Sequence, residues 1–84
     1  MTQEMHLLGE TIQEITLYAW PIVYNENKYD IGSTETLSML RDWAEEFEKW
    51  WRSHDEDWVA NNDFILEVEA FAEKKCQEFV QLHS

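Results

Sequence analysis

Between residues 36 and 51 the apolar positions fall at helical spacing. Leu37, Leu40, Trp43, Ala44, Phe47, Trp50 and Trp51 each lie three or four residues from another. Wound at about 100° per residue, they occupy one arc of roughly 140°. Arg41, Asp42, Glu45, Glu46, Lys49, Arg52 and Ser53 fall on the opposite arc, and no polar residue interrupts the apolar side between Leu37 and Trp51. The pattern predicts an amphipathic helix with a buried face heavy in aromatic rings. Ser33 or Thr34 is the expected cap, with Glu35 against the positive helix end. Trp58 stays in phase, so the helix is expected to run on toward Ala60. Its last turn should be weak, because Asp55, Glu56 and Asp57 oppose the negative end of the dipole.

Residues 1–23 predict a first helix, with Met5, Leu8, Ile12, Ile15 and Ala19 as its apolar stripe. Thr2 is its expected cap, with Glu4 in the first turn. Gly9 either weakens this helix or admits a close neighbour. Pro21 deletes one hydrogen bond and clashes with the carbonyl of Leu17. The helix should therefore kink there and continue to about Asn25, or stop near Tyr18. Tyr24, Tyr29 and Ile31 also suit strands, so a hairpin pairing residues 21–24 with 29–31 is the rival. Asn25, Asn27, Asp30, Gly32 and Ser33 mark a loop. After a break at 61–63, with Asn62 as expected cap, a third helix should reach about Leu82. Phe64, Ile65, Val68, Phe71, Ala72, Cys76, Phe79 and Leu82 share its apolar arc. Lys75 falls inside that arc, where its stem is expected to run past the core edge and free the ammonium. Leu66, Ala70 and Val80 lie off it and suggest a second, weaker contact with the loop or another chain.

Three helices of similar length predict an all-α antiparallel three-helix bundle, a single domain over residues 1–84. The alternative is an α+β fold with a short hairpin around residues 21–31. Only 2 Gly and 1 Pro are present, too few turn formers for an all-β fold.

Charge changes the picture more than composition does. Six basic residues face 18 acidic ones, a net charge of −12. The excess is spread along the whole chain: five acids to one base over residues 1–33, eight to three over 34–58, and five to two over 59–84. Direct binding to nucleic acid or to an anionic membrane is not expected, since both need Lys and Arg against phosphate. A basic protein surface is the expected partner. The single cysteine, Cys76, excludes an intrachain disulfide. The apolar stretch 6–23 contains Glu10 and Glu14 and lacks a basic leader, so a cytoplasmic setting is expected.

No catalytic or metal-binding motif emerges, and neither enzyme activity nor a cofactor is expected. Gln3, Trp51 and Val80 stand three residues before the histidines, where a carboxylate-bridged metal site would need Glu. Asp55, Asp57 and Asp63 loosely echo a calcium loop, but Ala60 occupies its glycine position and Leu66 its final Glu position. Cys76 has no base among its helical neighbours.

The remaining lead is one flank of the central helix. Glu35, Asp42 and Glu46 lie there without a base on that helix flank, beside Met39, Trp43 and Trp50. An acidic row along an aromatic ridge suits a module that docks on a basic, partly apolar surface. A nucleic-acid-mimicking inhibitor of a DNA- or RNA-binding protein is one form of that reading. A homo-oligomeric structural bundle, joined through the same edge, is the alternative.

Overall fold

The computed structural model describes the backbone of residues 2–83 and the side chains of residues 9–83. The expected Thr2 cap, Glu4 and the stripe positions Met5 and Leu8 lie outside the described side chains. Three long helices carry the chain, α1 (Thr2–Val23), α3 (Ser33–Arg52) and α5 (Phe64–Leu82). Two short ones, α2 (Glu26–Tyr29) and α4 (Glu56–Asn61), join them. No strand occurs among the described residues, so the hairpin alternative is excluded.

Contacts fix the directions. Lys75 meets Glu46, Phe71 meets Phe47, and Phe64 meets Trp51, so residue numbers fall along α5 as they rise along α3. Glu14 and Leu17 share a hollow with Glu69, while Ile22 shares one with Val80 and Gln81, so α1 and α5 run parallel. The result is an antiparallel up-down-up bundle.

Packing follows side-chain size. The fully buried row of α1 is Thr11, Ile15, Ala19 and Val23, spaced by four and free of large rings. Its backbone therefore nestles closely against both α3 and α5. Between α3 and α5 the contact passes through rings instead. Phe47 lies at the centre, edge-on to Phe64 and Phe71 and stacked on Trp51. Leu40, Phe47 and Trp51 are buried as the pattern predicts.

Several boundaries differ from expectation, each for a local reason. The first helix passes Pro21 and ends at Val23. Pro21 and Leu17 are both exposed, so water can take the freed Leu17 carbonyl, and buried Val23 holds the last turn to the core. Beyond it, Asn25 Oδ1 accepts hydrogen bonds from the Asn27 and Lys28 amides and starts α2. Tyr29 leaves α2 edge-on to Phe79, 5.0 Å between ring centres, which fixes the loop against α5. Gly32, rather than Ser33 or Thr34, precedes α3, and the Thr36 hydroxyl donates to the Gly32 carbonyl at 2.8 Å.

The central helix also stops before Trp58. The Ser53 hydroxyl donates to the Trp50 carbonyl at 2.6 Å, and Asp55 opens a new helix by accepting from the Trp58 amide at 2.9 Å. Asp55, Glu56 and Asp57 thus sit at the positive end of α4 instead of opposing the end of α3. Asp63, not Asn62, caps α5, accepting from the Ile65 and Leu66 amides.

The apolar arc of α3 is also less regular than its sequence. Leu37 stands 52 % exposed, whereas Thr36 and Glu48 are buried. Glu48 Oε1 lies 3.1 Å from the Arg52 guanidinium one turn on.

Candidate partner-binding face

The six residues singled out on α3 separate by depth. Glu35 and Asp42 are exposed, and Met39 is half-buried against the core. Trp43 is only 8 % exposed, which corrects its assignment to an accessible edge. Its position on the wheel is close to that of Trp50, but α5 covers it. The Lys75 ammonium, from α5, lies over the Trp43 ring, 5.9 Å from its centre. Trp50 sits two turns further on and remains 42 % exposed.

Trp50 is exposed but braced. Its ring is tilted against Phe47 at 5.7 Å and meets Trp58 edge-on at 5.4 Å. His54 stacks on Trp58 at 3.8 Å, and its Nδ1 lies 2.9 Å from the Trp50 carbonyl. The open side of the indole lines a groove of about 440 Å³ between α3 and α5. Glu46 comes from the same helix; Glu67, Ala70, Phe71 and Lys74 complete it from α5. Ala70, which lies off the apolar arc of its helix, lines this groove. Nothing in the sequence pattern marks Glu67, Phe71 and Lys74 as its lining, because only the α3–α5 register brings them opposite Trp50.

That register also alters the charge. The acidic flank of α3 is compensated at Glu46, whose Oε2 lies 3.2 Å from the Lys75 Nζ. Lys74 lines the same groove. Glu67 adds an acid from the opposite wall, and Glu35 and Asp42 extend the acidic row beyond it.

The reactive groups elsewhere are quiet. Cys76 is buried, and burial pushes its thiol from 9.0 up to about 11, so it carries no thiolate at neutral pH. Among the described residues no three His, Cys, Asp or Glu side chains gather to hold a metal ion. No helix among them is long and apolar enough to cross a membrane.

Fold and surface together define a small, strongly acidic three-helix bundle with an aromatic groove on one face. The chain matches no known protein family, and neither curated proteins nor solved structures provide a significant match.

Proposed function

We propose that this protein is a non-enzymatic interaction module that docks on a basic, partly apolar surface of a partner protein in a reducing, cytoplasmic setting. One observation carries the reading. Trp50, 42 % exposed and braced from behind, opens onto a groove whose walls carry Glu46, Glu67 and Lys74, in a chain of net charge −12. A rigid ring at the centre of a polar rim is the arrangement in which binding energy concentrates. Glu35, Met39 and Asp42 extend the face, and Trp43 supports it from within.

The nucleic-acid-mimic form is the less favoured. Twelve net charges along a 44 Å axis give about one per 3.7 Å, against roughly one per 1.7 Å for duplex DNA. A partner with a basic patch and an apolar centre fits this density better than a phosphate-binding groove. Self-association is the second reading. Leu37 and Leu82, 52 % and 83 % exposed, stand near the same end of the antiparallel α3–α5 pair.

The test compares immobilised wild type with Trp50→Ala and with Glu46→Gln/Glu67→Gln in capture experiments at low and high salt. Basic proteins should be retained, released by salt and lost from both folded variants. A retained set that is not basic, or that ignores both substitutions, would sink the reading. A dimer by light scattering that salt leaves intact would favour the oligomer.

A further inference from the structure

The seam between α1 and α5 differs from the α3–α5 groove in one decisive respect. Leu17 and Ile22 stand 67 % and 38 % exposed there, beside half-buried Tyr18 and Val80. They line two adjoining hollows of about 200 and 390 Å³ that share Tyr18. Glu14, Glu69 and Glu73 stand on the walls, and no Lys or Arg lines either hollow. The sequence supplies the cause once the topology is known. Residues 1–23 contain neither Lys nor Arg, and both lysines of α5 are turned toward α3.

We propose that this seam is a second docking groove whose occupant is a cationic amphipathic helix of a partner protein. Its apolar side would rest on Leu17, Tyr18, Ile22 and Val80, and its Lys or Arg residues would face Glu14, Glu69 and Glu73. The proposal goes beyond the Trp50 face and does not depend on it.

Three physical arguments select this occupant. Both walls are α-helices whose backbone groups, apart from the Leu17 carbonyl that Pro21 frees, bond within their own helix, so an extended segment finds no strand edge to pair with. A helix brings its own backbone satisfied. On α5 the hollows run from residue 69 to residue 81, about 18 Å, which matches roughly three helical turns. A second copy of this chain would set the same three glutamates against one another, and nucleic acid or anionic lipid would be repelled outright. Tyr18 reports the local field. Desolvation, then Glu73, Cys76 and Glu69, raise its phenol above the ordinary 10.0, so the hydroxyl stays a donor throughout the neutral range.

The probe is a synthetic 14-residue Leu/Lys peptide with its leucines on one helical face, titrated calorimetrically into the full chain at low salt. A scrambled peptide of the same composition is the control. The patterned peptide should bind at least tenfold more tightly than the scrambled one. Leu17→Ser with Ile22→Ser should weaken it at least tenfold, and Glu69→Gln with Glu73→Gln should weaken it and flatten its salt dependence. Trp50→Ala should change it less than twofold, which separates failure here from failure of the α3–α5 face. Circular dichroism checks the fold; if the Leu17/Ile22 variant unfolds, the exposed glutamate pair carries the test alone. Equal affinity for the scrambled peptide would overturn the proposal. So would indifference of folded variants to these substitutions, or loss with Trp50→Ala alone. A dimer abolished by Leu17→Ser would place a second copy in the groove and overturn it equally.

Discussion

Trp43 and Trp50 are the same residue type seven positions apart on one helix, yet they should behave differently when truncated. A tryptophan side chain presents roughly 200 Å². At 8 % exposure, Trp43 hides nearly all of it, an upper bound of about 4.5 kcal/mol at 25 cal/mol per Å². Its removal leaves a void beneath the Lys75 ammonium, and buried Trp→Ala changes fall in the range of about 3–5 kcal/mol. Trp50, 42 % exposed, hides roughly 110–120 Å² by the same measure. The space it leaves opens to solvent, so no cavity term adds to an upper bound of about 2.9 kcal/mol, and about 2 kcal/mol is expected. An 84-residue domain has roughly 4–13 kcal/mol in total. Urea unfolding followed at 222 nm reads the difference. With a slope of about 1 kcal/mol per M, Trp43→Ala should lower the midpoint by about 3 M or more and Trp50→Ala by about 2 M or less. Equal shifts, or a larger one for Trp50, would refute the assignment of one ring to the core and the other to the surface.

Other expectations follow from single residues. A Cβ on Gly9 would meet nothing within 4 Å, so Gly9→Ala should raise stability by about 0.5–1 kcal/mol; a destabilised variant would show an unseen close contact. Asp63→Ala removes the acceptor for two amides at the start of α5 and should cost about 1 kcal/mol in the same urea assay, with Asp63→Asn largely neutral. Folding raises the Cys76 thiol from 9.0 to about 11, so the folded chain keeps a proton that the unfolded chain releases. That contribution is intact below pH 9 and lost as pH climbs through 11. Between those values wild type should lose stability more steeply than Cys76→Ala, and parallel curves would contradict it.

Much of the architecture was legible because it depends on each helix's own period. The wheel of residues 36–51 puts Leu40, Phe47 and Trp51 on the core side, and they are there. The position of Lys75 inside an apolar arc foretold a stem running past the core edge, and its ammonium reaches Glu46. Capping was less legible. Ser33, Thr34 and Asn62 are good cap residues, but each boundary holds several competing cap formers within a few residues, and the local hydrogen bonds of Thr36, Asp55 and Asp63 set which is used.

What the sequence determined by itself was the helical class, the core side of the central helix apart from exposed Leu37 and Trp50, most of the α5 arc apart from exposed Ile65 and Leu82, and the acidic excess. These need only spacing and residue type. A period gives the direction of a side chain about its own axis. It does not say which neighbour stands in that direction, or at what distance. Only the tertiary structure decided that α5 covers Trp43 and leaves Trp50 open, and that both α5 lysines turn toward α3. The same packing bares the α1–α5 seam as a groove with acids and no base. Each of these depends on the register between helices, which is set when small residues let α1 approach both partners closely while rings hold α3 and α5 apart.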